Sequence, residues 1–229
     1  MQKMFLKIGH RGACGYEPEN TMASFKKALE LGVDAIEFDV YTLKDGQTVV
    51  FHDDTLDRTT NGTGMIMDKT FKEIRQLDAG KGEKIPTPEE ALDLIDKKVL
   101  VNIELKGEKT AKPTLNIIEK YIKEKGWSYD DFIVSSFNIK ELRDFRSLNK
   151  DIRIGICFSD KPKSYDHLVK ELNAYSVNPN KEWLTKEFID KAHEKGLKVF
   201  SYTVNEMDDI SRLKGFGIDG IFSNYPDRL

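Results

Sequence analysis

The chain is predicted to fold as an α/β protein of the (β/α)8 class, a closed parallel barrel. Three observations lead there. Short apolar runs rich in β-branched residues alternate repeatedly with longer amphipathic stretches across 229 residues, the pattern of strand–helix units. Histidines and carboxylates gather at the C-terminal ends of the first strand-like runs, the rim where such barrels keep their active sites. The rival doubly wound sheet would carry a Gly-rich phosphate fingerprint, and none is present.

Strands are expected at 4–9, 34–40, 48–52, 99–105, 132–135, 153–157, 174–177 and 198–203. Helices are expected at 21–31, 88–95, 110–124, 139–148, 165–171, 186–195 and 207–215, from apolar spacing such as Phe188, Ile189 and Ala192 and from stops such as Lys195-Gly196. Between the second and third strands only 42–47 intervene, too short for a crossover helix. The chain either returns bare across the barrel wall or makes a hairpin at Asp45-Gly46. The bare return is the expected solution, because it leaves His52 at the same rim as Glu37. The stretch 53–86 is polar and turn-rich, and is read as a small inserted segment (about 55–85) with one short helix near 71–76. The whole of 1–229 is otherwise expected to form one domain.

Composition narrows the function. A net charge of −3, with Lys and Arg scattered among Asp and Glu, offers no basic stripe for nucleic acid and no polybasic cluster for a stable membrane association. A small-molecule substrate fits better. Two cysteines, Cys14 and Cys157, are too few for a disulfide framework and lack metal-ligand spacing, so both read as reduced thiols. No apolar run is long enough to span a bilayer or to act as a signal peptide, which makes a cytoplasmic location the expectation. Oligomeric state is left open, a homodimer included.

A strand alternates its side chains between two faces. In the run Ala-Ile-Glu-Phe-Asp-Val, Ala35, Glu37, Asp39 and then Tyr41 share one face, against Ile36, Phe38 and Val40 on the other. The run Val-Asn-Ile-Glu-Leu-Lys likewise places Asn102, Glu104 and Lys106 together. Clustered carboxylates on apolar strands repel and lose hydration, so a positive charge must compensate them. For any one carboxylate an internal salt bridge, such as Glu104 with Lys106, competes with cation ligation. Three together favour a cation, and oxygen-only donors favour Ca²⁺ or Mg²⁺ over zinc. His10, followed by Arg11, and His52, followed by Asp53, flank that cluster, and a histidine pair across a phosphorus can act as base and acid. Arg11 and Lys106 suit phosphate oxygens. His167 and His193 lie within amphipathic helices and read as structural. Phe137, Tyr202 and Phe222, at later strand ends, either wall the pocket or pack the rim.

These residues sit in runs that resemble the glycerophosphodiester phosphodiesterase family: GHRGACGYEPENT from Gly9, EFDVYTLKDGQTVVFHDDTLDRTTNGTG from Glu37, NIELK, IVSSF, YTVN and DGIFSNYPD ending at Asp227. The first two are highly specific together, and the resemblance covers essentially the whole chain. It implies an enzyme, a phosphoric diester hydrolase that cleaves glycerophosphodiesters to sn-glycerol 3-phosphate and an alcohol on a (β/α)8 barrel with an insertion after the third strand. It implies a divalent cation on Glu37, Asp39 and Glu104, an acid/base pair at His10 and His52, and phosphate contacts from Arg11 and Lys106. Glu19 and Asn20 also match, although Asn20 has a simpler reading as the cap of the following helix. Tyr202 stands where many members carry tryptophan, which alters the alcohol side of the pocket. His10 is expected as base and His52 as acid, the reverse staying open.

Three other readings fit less well. A sphingomyelinase- or phospholipase-like diesterase needs a route to a bilayer that this chain does not show. A catalytically silent phosphodiester-binding protein is expected to lack one of the histidines. A metal-dependent sugar isomerase has no need of the His-Arg-Gly opening.

Overall fold

The computed structural model describes residues 5–229, and among these the chain forms one closed sheet wrapped by helices. The order is β1 (Leu6–Gly9), α1 (Met22–Glu30), β2 (Ala35–Thr42), β3 (Thr48–Val50), α2 (Phe71–Ile74), α3 (Pro88–Ile95), β4 (Leu100–Leu105), α4 (Ala111–Lys125) and β5 (Phe132–Ser136). Then follow α5 (Ile139–Leu148), β6 (Arg153–Phe158), α6 (Asp166–Leu172), β7 (Ser176–Pro179), α7 (Lys186–Glu194), β8 (Lys198–Ser201), α8 (Met207–Gly215) and β9 (Gly220–Ser223). Eight strands run parallel, in the order β1, β2, β4, β5, β6, β7, β8, β9, and β9 pairs back onto β1 to close the barrel. The (β/α)8 expectation holds, and closure excludes the doubly wound sheet. Met4, where the first strand was expected to start, lies outside the described residues.

Two expectations are corrected. The run 48–52 is no barrel stave, and the chain does not return bare. β2 is eight residues long and overshoots the rim, which leaves an edge at Val40–Thr42. There β3 pairs antiparallel, with Val40 opposite Val50 and Thr42 opposite Thr48. The turn is the Asp45-Gly46 hairpin, closed by Leu43 and Gln47, with Gly46 at φ +85°. The eighth stave is instead β9, a four-residue run too short to declare itself by periodicity. Its Gly220 lies where a Cβ would meet the Leu6 carbonyl at 2.9 Å, so the closing seam is narrow.

Burial follows the alternation. Ile36, Phe38 and Val40 face outward into the layer beneath the helices, with Val101, Ile103 and Leu105 of β4. Inside, Leu6, Ile8, Ala35, Ile133, Phe200 and Phe222 fill the barrel. Above this apolar fill the inward positions become polar, which creates the site. The stretch between β3 and α3 has its own apolar cluster, including Leu56, Ile66, Ile74 and Ile85, packed on Tyr41 and Val49 of the overshooting hairpin. It contains a 3-10 turn at Ile66–Asp68 and the single-turn α2, shorter than the helix expected there.

Candidate active site

Every proposed site residue reaches one rim. β1 ends at Gly9, and the His10 N–H donates to the Ser223 carbonyl (3.0 Å), which seats His10 on the closing seam. Glu37 and Asp39 point inward from β2, and β4 places Asn102 opposite Glu37 and Glu104 opposite Asp39. Lys106 follows β4, its N–H on the Val40 carbonyl. His52 arrives from above: β3 descends, and the Phe51 N–H donates to the Asp39 carbonyl (2.9 Å), which returns His52 to the level of the carboxylates. The hairpin thus achieves what the bare return was expected to achieve.

His10, Arg11, Glu37, Asp39, His52 and Glu104 form one side of a cavity of about 200 Å³, and Phe137, Cys157, Tyr202 and Phe222 contribute to the other. Lys106 joins through its Nζ, 3.3 Å from His52 Nε2 and 2.9 Å from Glu104 Oε1. The aromatic residues therefore wall the pocket: Phe137 meets Tyr202 edge-on, and the Tyr202 hydroxyl is taken up by the Phe158 carbonyl (2.8 Å).

Oxygens of Glu37, Asp39 and Glu104 lie within 4.8 Å of one another. Burial, then the charges of Asp39 and Glu104, push the Glu37 carboxyl well above its ordinary range. Burial and Asp39 push Glu104 up to about 7, against the opposing pull of Lys106. The Glu104–Lys106 ion pair anticipated as a competing reading is real, yet even with Arg11 3.5 Å from Asp39 Oδ2 the two cations do not relieve three carboxylates, since Glu37 and Glu104 both stay raised. Asn102 Oδ1, on the same face of β4, is buried without a hydrogen-bond partner. An all-oxygen cluster starved of positive charge, beside an unsatisfied carbonyl oxygen, fits a hard divalent cation.

The histidines differ in their partners. His10 Nδ1 lies 2.7 Å from Asn224 Oδ1, so Nδ1 carries the hydrogen and Nε2 is free. Burial and Arg11 lower its pKa to about 4, so the ring is neutral at physiological pH. His52 Nδ1 lies 2.5 Å from Asp53 Oδ1, a carboxylate. Burial also lowers the His52 pKa, with Asp39 and Asp53 opposing.

Four contributors escaped the sequence reading or were misread. Asn224 stands 214 residues from His10, and no local pattern joins them. Asp53 was noted only as a neighbour of His52. Arg58 binds both Asp53 and Glu19; its position five residues after Asp53 was the available signal. Asn20 is no helix cap, since Thr21 caps α1 by accepting from the Ser24 N–H. Asn20 is instead buried at φ +57°, and its Nδ2 donates to Asp39 Oδ2 (2.9 Å). Cys14 Sγ sits 4.0 Å from His10 Nδ1, but burial pushes its thiol up to about 12, which leaves it an inert neighbour.

Barrel, rim-clustered carboxylates and paired histidines define an enzyme of the (β/α)8 class. Comparison with known proteins narrows this. Residues 10–228 match the model of the glycerophosphoryl diester phosphodiesterase family. A glycerophosphodiester phosphodiesterase of Caldanaerobacter subterraneus is 41% identical over 234 residues, covering 98% of this chain and 96% of that protein. The human glycerophosphodiester phosphodiesterase 1 is 27% identical, covering 89% of this chain and 73% of that protein. Among solved structures, an Oleispira antarctica phosphodiesterase in complex with the product sn-glycerol-3-phosphate superposes with a TM-score of 0.89 at 32% identity, covering 96% of this chain and 93% of that one. The chain belongs to the glycerophosphoryl diester phosphodiesterase family.

Proposed function

We propose that the chain hydrolyses glycerophosphodiesters to sn-glycerol 3-phosphate and an alcohol by acid/base catalysis between His10 and His52. The observation that carries this reading is the convergence of both histidines, three carboxylates and Arg11 on one cavity. Family membership and the product held by the Oleispira relative support it.

Glu37, Asp39 and Glu104 would hold the cation, Ca²⁺ or Mg²⁺, which supplies compensating charge for a phosphate oxygen and for a neighbouring hydroxyl. Arg11 and Lys106 take the remaining phosphate oxygens; the Arg11 Nε is buried without a hydrogen-bond partner, 3.5 Å from Asp39 Oδ2, and is free to turn to a ligand. His10, neutral and with Nε2 free, removes the proton from the glycerol 2-hydroxyl or from water. His52 acts as the imidazolium, which Asp53 at Nδ1 and Asp39 favour against burial; with Lys106 turned to the phosphate, the His52 Nε2–H protonates the departing alcohol oxygen. Attack by the 2-hydroxyl would expel the alcohol and leave a cyclic phosphate, and would explain a requirement for glycerol; a water molecule then opens the ring at the bond to the 2-oxygen, which takes back a proton, to give sn-glycerol 3-phosphate. The whole chain acts as one catalytic unit with 55–85 inserted at its rim. No helix among the described residues is long and apolar enough to cross a membrane; a cytoplasmic location is part of the proposal.

The test is glycerol 3-phosphate release from a panel of glycerophosphodiesters, with and without a chelator. Release that stops on verified cation removal and returns with Ca²⁺ or Mg²⁺ is expected. Full turnover without a cation would refute the ligand assignment, and no release from any diester would refute the activity. A 2-deoxy analogue is expected to bind but scarcely react; turnover near the parent rate would mean direct attack by water.

A further inference from the structure

The side chain of Arg58 lies outside the cavity, on the segment that follows β3, and is half exposed. Surface arginines of this kind usually contribute little. This one is saturated by two carboxylates. Its Nε donates to Asp53 Oδ2 (2.6 Å) and its Nη2 to Asp53 Oδ1 (2.8 Å). Its Nη1 donates to Glu19 Oε2 and its Nη2 to Glu19 Oε1, both at 2.7 Å. Each carboxylate then passes on to a site residue. Asp53 Oδ1 receives the His52 ring, and Glu19 Oε1 receives Arg11 Nη1 (2.7 Å). Against the upward push of burial, the forks of Arg58 and Arg11 bring Glu19 down to about 2, so this carboxylate stays charged throughout the working range.

An ion pair that only fastens the segment to the barrel would be the plain explanation. Other contacts already perform that task. Lys81 Nζ donates to Glu17 Oε2 (2.9 Å) and to the Tyr16 carbonyl (3.0 Å), and Glu83 Oε2 accepts from the Ala23 N–H. None of these links reaches a group that faces the cavity. Arg58 is connected differently: both of its carboxylates end on residues that line the cavity. A carboxylate that orients a histidine works only if it is itself held, because a free Asp53 has other rotamers and water to choose from.

We infer that Arg58 is a positioning residue for His52 and Arg11, clamping Asp53 and Glu19 so that one guanidinium fixes the His52 ring and the Arg11 guanidinium together. The inference rests on the proposed role of His52 as acid. Arg58 touches no reacting atom. Its loss frees the imidazole to turn, and a misplaced proton donor costs rate only where the leaving group needs a proton.

The experiment compares kcat and KM for Arg58→Gln, His52→Ala and the double variant on two esters. One is an alkyl diester, glycerophosphoethanolamine; the other is glycerol p-nitrophenyl phosphate, whose leaving group departs unprotonated. Arg58→Gln is expected to lower kcat on the alkyl ester by about 10²-fold and on the aryl ester by less than about threefold, the same selectivity as His52→Ala, while the loosened Arg11 raises KM by a similar factor on both esters. The double variant should be no worse in kcat than His52→Ala alone. Lys81→Ala, which cuts a fastening link, should leave the ratio of the two esters at its wild-type value. Equal kcat losses of Arg58→Gln on both esters, or no kcat loss where His52→Ala is selective, would overturn the inference. If His52→Ala itself loses equally on both esters, the acid role fails while the clamp is judged by the double variant alone: non-additive losses uphold it and additive losses end it. Asp53→Asn carries the same comparison should Arg58→Gln not fold, as judged by its melting curve.

Discussion

The two halves of the barrel mouth are built for different work. From β1 to the residue after β4 the rim carries the acid, base and cationic side chains of the site: His10, Arg11, Glu37, Asp39, His52, Glu104 and Lys106. From β5 to β9 it carries Phe137, Cys157, Tyr202, Thr203 and Phe222, and its one phenolic hydroxyl is turned away onto a backbone carbonyl. The first half is also the reinforced one, braced by the β2–β3 hairpin and by the segment that Arg58 and Lys81 tie down. Reacting groups need positions fixed to a fraction of an ångström, while a wall of rings needs only shape. Chemistry is therefore expected to reside in the first half and preference among alcohols in the second.

The largest effects should come from the histidines. His10→Ala and His52→Ala are each expected to lower turnover by roughly two to four powers of ten, with thermal stability nearly unchanged. An activated p-nitrophenyl ester should restore His52→Ala and leave His10→Ala inactive; the opposite pattern reverses base and acid, and ordinary activity in both would remove chemistry from the first half. Next comes the cation. Glu104→Gln should weaken Ca²⁺ or Mg²⁺ binding by about 10- to 100-fold in calorimetry, and affinity equal to wild type would take Glu104 out of the ligand set.

A third, smaller effect concerns pH. The folded-state pKa of Glu104 stands near 7, above its ordinary 4.5, so the folded protein binds this proton more tightly than the unfolded chain does. The buried histidines, whose pKa values are lowered, push stability the other way over the same range, so the measurement is the Tm difference between the cation-free protein and its Glu104→Gln variant. Relative to that variant, the cation-free protein should lose stability as pH rises from about 4.5 to about 7, by an amount on the order of 5 °C in Tm, and added cation should abolish the loss. A difference that grows in favour of the wild type across this window would mean that the carboxylates are not in mutual repulsion. Smallest of all, Phe137→Ala should change KM by a few-fold in a way that depends on the alcohol, with kcat within about twofold of wild type. A kcat loss as large as that of a histidine variant would erase the division between the halves.

How far the sequence could be read follows the same division. The alternation of Glu37 and Asp39 with Ile36, Phe38 and Val40 is local, and it announced both the inward carboxylates and the outward core. The path from β2 to His52 was not decided locally, because a six-residue link satisfies a hairpin and a bare return alike. What selects the hairpin is the overshoot of β2, which offers an edge to pair with. β9 was hidden by its brevity. Asn224, and the true partner of Asn20, were hidden because hydrogen bonds across 214 and 19 positions leave no periodic trace. Arg58 lies in the run DRTTNGTG, but only the tertiary structure reveals that its two carboxylates lead to His52 and to Arg11.

The seam where β9 meets β1 sets a rule about time. His10 directly follows β1, whereas Asn224, which holds its ring, is made 214 residues later. Leu6, Lys7, Ile8 and Gly9 likewise wait for Gly220, Ile221, Phe222 and Ser223 before they have a neighbour on that side. A chain translated only as far as β8 thus carries both histidines and all three carboxylates while His10 lacks the partner that orients its ring, and the site is completed only when 220–224 emerge and β9 closes onto β1.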